Sequence, residues 1–285
     1  MSERVTAPEG TFKLGGDLEV RRLGFGAMRV TGADVWGEPA DRAEALRVLR
    51  RAVALGVGLI DTADCYGPEV SERLIAETLH PYPAGLVIAT KGGVVRSGPH
   101  GWEPDGRPAH LREALEASLH RLRLERMDLY QLHTIDSRVP LEESVGTLAE
   151  LRAAGKIRHV GLSNVDVRQL ERARRVVPIV SVQNHYHLAN RGSDPVLQAC
   201  TRLGLAFIPY FPLGDGRLVR AGGPLRRVAE RHQATPAQVA LAWLLRRSPC
   251  MLPIPGTGRV KHLEENVAAA GLTLGADDLR DLERP

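Results

Sequence analysis

The segment Val57-Gly-Leu-Ile-Asp-Thr-Ala-Asp-Cys-Tyr-Gly67 joins an apolar run to a polar loop. Its first four residues are typical of a short buried strand. The strand would end at a carboxylate, Asp61, and the loop beyond it carries a phenol, Tyr66. An ionisable group at a strand end, with a second one close behind it, is the arrangement expected of a reactive site rather than of a core.

Two other apolar runs also end in a reactive side chain. Lys91 follows residues 86–90, and His133 follows residues 128–132. A bare ammonium after a mostly apolar strand is costly to bury unless it has a partner, and Asp61 is the partner that the sequence offers. The acid, phenol, amine and imidazole can meet only if the three strands lie side by side and parallel. We therefore expect a parallel sheet with a catalytic site at one edge.

Strand-like runs alternate with helix-like runs along the chain. Eight strands are predicted: Leu23–Ala27, Val57–Asp61, Leu86–Lys91, Asp128–His133, Val160–Ser163, Ile179–Gln183, Ala206–Tyr210 and Cys250–Ile254. The clearest helix between them is Arg107–Leu124, whose leucines recur at helical spacing. This pattern predicts an α/β fold, a (β/α)8 TIM barrel that forms one domain over residues 1–285. A doubly wound sheet is the alternative, but Arg29 stands where its dinucleotide fingerprint needs a third small residue.

Smaller signals complete the predicted fold. The flanks Thr11–Leu14 and Leu18–Leu23 meet through a Gly-Gly-Asp turn, which indicates an N-terminal β-hairpin. Asp41, Asp166 and Thr235 stand where helix N-caps are expected. The last predicted helix, Ala276–Glu283, leaves a short C-terminal tail. Function in such barrels lies at the C-terminal ends of the strands, where this chain places Asp61, Lys91, His133, Ser163, Asn164, Gln183 and Tyr210.

Composition narrows the possible partners. The formal charge of +4 is small, and no continuous basic tract with interleaved aromatic residues indicates nucleic-acid binding. No stretch approaches the ~20 apolar residues of a membrane span. Residues 1–10 lack the apolar core of a signal peptide, so a cytoplasmic location is expected. The three cysteines, Cys65, Cys200 and Cys250, are widely spaced and form neither a disulfide framework nor a zinc motif.

The sequence resembles the aldo-keto reductase family from the N-terminal hairpin to the region of Asn266. The resemblance is carried by an ordered set of motifs: Asp61-Thr-Ala-Asp-Cys-Tyr66-Gly, Thr90-Lys91-Gly, Leu129-Tyr-Gln-Leu-His133, Gly161-Leu-Ser-Asn164, Gln183-Asn-His-Tyr186, Tyr210-Phe-Pro-Leu-Gly214, Ile254-Pro-Gly-Thr257 and Glu264-Glu-Asn266. The resemblance implies an NAD(P)H-dependent reductase of aldehydes or ketones, without metal or flavin.

The resemblance assigns four catalytic residues. Tyr66 would be the general acid that protonates the carbonyl oxygen. An ordinary phenol has a pKa of about 10, and the Lys91 cation should lower it. Asp61 would hold Lys91 in place and keep it charged, while His133 would orient the substrate oxygen.

The resemblance also implies a cofactor site. Ser163, Asn164 and Gln183 would bind the nicotinamide carboxamide, Tyr210 would stack on the ring, and Leu213–Asp215 would follow the pyrophosphate. At the last predicted βα turn, an anion such as a 2′-phosphate would meet free amides at a helix start. The residues implied there are Thr257, Arg259 and His262, with Glu265 and Asn266 near the adenine. Gly256 and His262 replace the Lys and Arg common in the family, yet NADPH is expected over NADH.

The expected substrate is a small-molecule carbonyl compound. A short C-terminal tail suggests an open pocket, with walls drawn from Phe25, Trp36, Trp102 and Phe211 and shaped by the loop Gly92–Gly106. Similar family members act on small aromatic aldehydes, including pyridoxal-like ones. Two other functions stay open on the sequence: an NADPH-binding regulatory or scaffold protein on the same fold, and a metal-dependent hydrolase using His133, His185 and His187. Against the hydrolase, the His and acidic residues do not show the compact spacing of metal ligands. The oligomeric state is not predicted.

Overall fold

The computed structural model describes residues 10–220 and 222–283. Residues 1–9, which belong to the segment expected to lack a signal peptide, lie outside the described residues. The predicted hairpin is present as β1, Thr11–Leu14, paired with β2, Leu18–Arg21. Gly15 and Gly16 at its turn have φ of 65° and 87°, a conformation that other residues adopt only with strain. Leu14 and Val20 pack against barrel residues, so the hairpin covers one end of the barrel.

Seven parallel strands form the main sheet of the described residues, in the order β11-β10-β9-β8-β5-β4-β3. Their bounds are β3 Phe25–Gly26, β4 Leu59–Asp61, β5 Val87–Gly92, β8 Met127–Leu132, β9 Ile157–Ser163, β10 Ile179–His185 and β11 Ala206–Tyr210. The remaining strands, β6 Val94–Gly98 and β7 Gly101–Pro104, form an antiparallel hairpin within the predicted loop Gly92–Gly106. This hairpin was not predicted from the sequence.

The predicted eighth strand, Cys250–Ile254, is not a regular strand, although it still closes the barrel. It makes one parallel bridge, between Met251 and Phe207, and Leu252 N–H donates to Phe207 O at 2.8 Å. On its other side, Gly24 N–H donates to Pro253 O at 2.9 Å. Pro253 and Pro255 have no N–H to donate, and for that reason the hydrogen-bond ladder is interrupted. The (β/α)8 architecture is confirmed, with an irregular last strand.

Helices surround the barrel. In the described part they are α1 Arg42–Ala54, α2 Val70–Leu79, α3 Pro108–Leu122, α4 Leu141–Ala153, α5 Val167–Arg174, α6 Asp194–Leu203, α7 Arg217–Arg220, α8 Pro224–Arg231, α9 Pro236–Arg247, α10 Val260–Ala268 and α11 Ala276–Glu283. The three predicted N-caps are confirmed, because the side chains of Asp41, Asp166 and Thr235 accept from the backbone N–H three residues on. None of the described helices has the length and apolar content of a membrane span.

Alternation along the strands decides which side chains reach the site. Leu59, Val87 and Leu129 pack together inside the barrel, whereas Ile60 and Ile88 join the layer between strands and helices. Asp61, two residues after Leu59, therefore shares its inward face. The same period of two places the predicted residues of the next strands inward at one end of the barrel: Lys91, His133, Ser163, Gln183 and Tyr210.

Candidate active site

A buried ion pair lies at the floor of a cleft at the C-terminal ends of the strands. Lys91 has no exposed surface, and its Nζ donates to Asp61 Oδ1 at 2.5 Å and to Thr62 O at 2.8 Å. The Nζ also lies 3.4 Å from the Tyr66 hydroxyl, so each of its three protons has an acceptor. Asp61, Tyr66 and Lys91, predicted from distant parts of the sequence, thus form one cluster.

The second oxygen of Asp61 is held by two amides. Oδ2 accepts from Gln131 Nε2 at 3.0 Å and from Gln183 Nε2 at 2.8 Å. Gln131 was missed by the sequence analysis. It pairs in register with Lys91 and faces inward two residues before His133, so a polar residue at an inward position of an apolar strand was the available signal. These contacts fix the plane of the carboxylate that holds Lys91.

The protonation states follow from burial and charge. Burial raises the pKa of Tyr66 above its usual range, although Lys91 acts in the opposite direction. Lys91 thus acts in the expected direction, but desolvation outweighs it and the net pKa shift of the phenol is upward. Burial acts to lower the pKa of Lys91, but Asp61 and Tyr66 outweigh it and the net shift is upward. The site thus combines a neutral phenol with a charged ammonium.

His133 lines the cleft beside Tyr66. The two rings meet edge to face with centroids 5.9 Å apart. Burial, together with the nearby Lys91 cation, lowers the pKa of His133 well below its usual range, so the imidazole is neutral near pH 7. Its Nδ1 lies 3.5 Å from the Sγ of Cys65, a buried residue on the loop between β4 and α2.

The predicted nicotinamide ligands form an amide and hydroxyl cluster along the cleft wall. Asn164 Nδ2 donates to His133 O at 3.1 Å and to Ser163 Oγ at 3.2 Å. Its Oδ1 accepts from the Tyr210 hydroxyl at 2.8 Å. One side of the Tyr210 ring is stacked by His185, with centroids 5.3 Å apart and planes 8° apart. Together with Gln183, these residues line one side of the cleft with polar groups.

The cleft has a volume of about 1380 Å³, and its lining includes four arginines and four acidic residues. Leu213 and Asp215 lie on its rim, and Asp215 forms an ion pair with Arg29. Arg217 and Arg220 of α7 also line it. These arginines were not predicted from the sequence, where Arg29 counts only as a break in a glycine motif. The closeness of the α7 arginines to the cleft depends on how the loop after β11 folds back.

The cleft lining also contains the residues predicted for the adenosine part: Thr257, Arg259, His262, Glu265 and Asn266. Arg259 is exposed and precedes α10, as predicted for an anion site at a helix start. The first amide of this helix is already occupied, because Val260 N–H donates to Glu44 Oε1 of α1 at 2.9 Å. An anion at this end would therefore rely more on side chains such as Arg259.

The aromatic residues predicted as pocket walls divide into two groups. Trp102 and Phe211 line the cleft, and Trp102 contacts Tyr66 edge to face at 6.4 Å. Phe25 has no exposed surface and belongs to the core under the helices, because it pairs with outward-facing Ile60; assigning it to the pocket was wrong. Trp36 is exposed but lies outside the cleft lining.

The backbone is strained around the cleft. Eight described non-glycine residues have positive φ, and five of them line the cleft: Asp34, Val35, Asn164, Phe211 and Asp215. A left-handed conformation is uncommon for such residues and costs free energy, most of all for β-branched Val35.

Within the described residues, no group of His, Cys, Asp and Glu is arranged to hold a metal ion.

Comparison with known proteins agrees with this geometry. The model of the Aldo/keto reductase family matches residues 22–284. The chain is 48% identical over 274 residues to an uncharacterized oxidoreductase of Schizosaccharomyces pombe, covering 96% of this chain and 89% of that protein. It is 44% identical over 279 residues to pyridoxine 4-dehydrogenase of Escherichia coli, covering 96% and 97%.

Among solved structures, an aldo-keto reductase from Klebsiella pneumoniae in complex with NADPH superposes with a TM-score of 0.82. That protein is 26% identical to this one, and the match covers 98% of this chain and 94% of the other. Fold, site and family model agree. The chain therefore belongs to the aldo/keto reductase family and is an NAD(P)H-dependent oxidoreductase.

Proposed function

We propose that this protein reduces an aldehyde or ketone to the alcohol with NADPH, and that Tyr66 is the general acid. The observation that carries the proposal is the buried Lys91–Asp61 pair within 3.4 Å of a phenol at the floor of the cleft. A structural role alone does not explain why a lysine without exposed surface points at a hydroxyl that borders a large cleft.

The residues of the cleft fit a nicotinamide dinucleotide. One part of the lining offers amides and hydroxyls, from Ser163, Asn164 and Gln183, which suit a carboxamide. Because Gln183 already donates its Nε2 to Asp61, its Oε1 remains to accept from such a group. Arginines suit the phosphates, and the cleft is lined by Arg217 and Arg220 of α7 and by Arg259 at the start of α10. When bound, the cofactor supplies the hydride.

The proton comes from the protein. A carbonyl oxygen within reach of Tyr66 accepts the phenolic proton as negative charge develops on it. The phenolate that remains is stabilised by the Lys91 ammonium, which stays charged because Asp61 holds it. Neutral His133 donates a hydrogen bond to the same oxygen and orients the carbonyl. Trp102 beside Tyr66 offers a flat apolar surface for the rest of the substrate.

The aromatic wall favours a small planar substrate. Trp102 is 41% exposed, and Phe211 also lines the cleft, so an aromatic aldehyde can bury its ring there. The similarity to pyridoxine 4-dehydrogenase of Escherichia coli supports pyridoxal-like aldehydes as the first compounds to test. We therefore propose small aromatic aldehydes, including pyridoxal, as the substrate class.

The test measures oxidation of NADPH by the purified protein with a panel of aromatic and aliphatic aldehydes. Tyr66→Phe keeps the ring and removes the proton donor, so we expect a loss of kcat of about 10²-fold or more. Its affinity for NADPH, measured by fluorescence titration, should change less than about twofold. Near-normal turnover by Tyr66→Phe would overturn the proton-donor assignment. Tight NADPH binding without turnover of any carbonyl would instead indicate the binding-protein alternative.

A further inference from the structure

The Cys65–His133 contact bears on how the imidazole acts. Cys65 Sγ lies 3.5 Å from His133 Nδ1, a normal distance for a hydrogen bond that involves sulfur. The backbone of His133 is fixed independently: its N–H donates to Gly92 O at 2.9 Å, and its carbonyl accepts from Asn164 Nδ2 at 3.1 Å. Among the described side chains, only Cys65 forms a hydrogen bond with the imidazole ring.

A neutral imidazole carries one proton, and the partner of one ring nitrogen decides which nitrogen holds it. Cys65 is 3% exposed, and burial raises the pKa of its thiol well above the usual range, so the sulfur keeps its hydrogen. A thiol is a weak donor and a weak acceptor, whereas an unprotonated imidazole nitrogen is a good acceptor. The arrangement S–H to Nδ1 therefore satisfies both groups.

The other tautomer, with the proton on Nδ1, gives both ring nitrogens of His133 less favourable partners. With the proton on Nδ1, the weakly accepting sulfur would be its only partner, and the S–H would lose its acceptor. The Nε2 nitrogen would then present a lone pair to the cleft. A carbonyl oxygen also presents lone pairs, so that form of His133 would repel the substrate rather than orient it.

We propose that Cys65 is a positioning residue that sets the tautomer of His133, placing the ring proton on Nε2, where it faces a carbonyl oxygen in the cleft. The role of that proton rests on the proposed function, but the tautomer itself does not. Cys65 lies next to Tyr66 on the loop Asp64-Cys65-Tyr66, so the thiol and the phenol both contact the imidazole.

The first measurement needs no substrate. The chain has 10 histidines, so the protein is labelled with ring-¹⁵N histidine and the His133 signals are assigned with His133→Asn. Two-bond ¹⁵N–¹H correlation spectra distinguish a protonated from an unprotonated nitrogen. We expect wild-type Nδ1 to be unprotonated and Nε2 protonated. Cys65→Ala should raise the share of the Nδ1–H form about fivefold, since one hydrogen bond biases such an equilibrium by roughly that factor. Cys65→Ser, which keeps a donor, should restore the wild-type spectrum.

The second measurement is steady-state reduction of an aldehyde. Cys65→Ala should lower kcat about three- to fivefold, with an unchanged KM for NADPH, and Cys65→Ser should recover most of the loss. Cys200→Ala removes a buried thiol of α6 outside the cleft lining and should leave the His133 spectrum unchanged. A protonated Nδ1 in the wild type, or a Cys65→Ala spectrum identical to it, would refute the tautomer role. If the spectra respond but no carbonyl is reduced, the proposed function fails and the tautomer assignment stands.

Discussion

At the scale of single residues, the site is organised around one buried cation. An unpaired ammonium in an apolar interior is too costly to persist, and Lys91 is tolerated because three oxygens surround it. Asp61 in turn is oriented by two glutamines, so five side chains and the Thr62 carbonyl hold each other in place. Of this cluster, Asp61, Tyr66 and Gln183 line the open cleft together with His133, whereas Lys91 and Gln131 lie beneath it.

The pKa shifts predict the pH dependence of the reaction. In the proposed mechanism reduction needs protonated Tyr66, whose pKa is raised above about 10, so we expect the rate to be retained up to alkaline pH and lost only above that raised value. His133 gains a proton only below about pH 6.5 because its pKa is lowered. We expect kcat for reduction to be level between about pH 6.5 and 9.5, while alcohol oxidation, which needs the phenolate, increases with pH. An acidic limb centred near neutrality would contradict the assigned shift of His133.

Arg259 is predicted to select NADPH over NADH. It is exposed at the start of α10, where a Glu44 carboxylate already takes the first amide. Arg259→Ala should therefore raise the KM for NADPH about tenfold, a loss typical of a hydrogen bond to a charged group, and the KM for NADH less than twofold. Steady-state kinetics with both cofactors checks this. Arg168→Ala, on α5 outside the cleft lining, is the matched control. Equal increases in KM for NADPH and NADH would show that Arg259 does not bind the 2′-phosphate.

At the scale of elements, the β6–β7 hairpin carries Trp102, one of the two aromatic residues of the cleft wall. Arg96 of β6 lies against the Trp102 ring, with its guanidinium carbon 3.7 Å from the centroid, and against Trp36 at 5.3 Å. The same guanidinium donates to the carbonyl oxygens of Val35, Cys65, Asp34, Gly98 and Pro99. One side chain therefore ties the hairpin to the loops that hold Tyr66.

Removing the Arg96 contacts should loosen Trp102 without altering Tyr66, the proposed proton donor. We expect Arg96→Ala to raise the KM for aromatic aldehydes about fivefold and to change the kcat less than twofold, because the lost contacts position the wall. Arg96→Lys should not rescue it, since an ammonium cannot both stack on a ring and span several carbonyls. Steady-state kinetics and limited proteolysis of residues 94–104 measure the effect. An unchanged KM would mean that the hairpin is held without Arg96.

At the scale of the whole molecule, the barrel is closed by the two ends of the sheet. The interrupted segment after Cys250 bonds to β11 on one side and to the residues around Gly24 on the other. Arg22 reinforces this closure, because its guanidinium donates to Leu245 O and Ser248 O at 2.6 Å each. A side chain from the start of the sheet thus satisfies carbonyls at the end of α9.

Arg22→Met should lower the free energy of unfolding by about 2–3 kcal/mol, because it leaves partly buried carbonyls without their charged donor. Urea denaturation followed by far-ultraviolet circular dichroism provides the measurement. Arg22→Lys keeps the positive charge but not the planar guanidinium that reaches two carbonyls, so it should recover part of the lost free energy of unfolding. If Arg22→Met unfolds at the wild-type urea concentration, the closure relies on the backbone bonds and packing alone.

The amino-acid sequence by itself determined the alternation of strands and helices, the hairpin, the N-caps and the family motifs, because these depend on local propensity and on short spacings. It also indicated which reactive residues stand at strand ends. Tertiary structure decided what depends on register and burial. Phe25 turns outward because it aligns with Ile60, and Gln131 turns inward beside Lys91. Desolvation, which exists only in the folded chain, raises the pKa of Tyr66 against the pull of Lys91, and only folding brings Cys65 to His133.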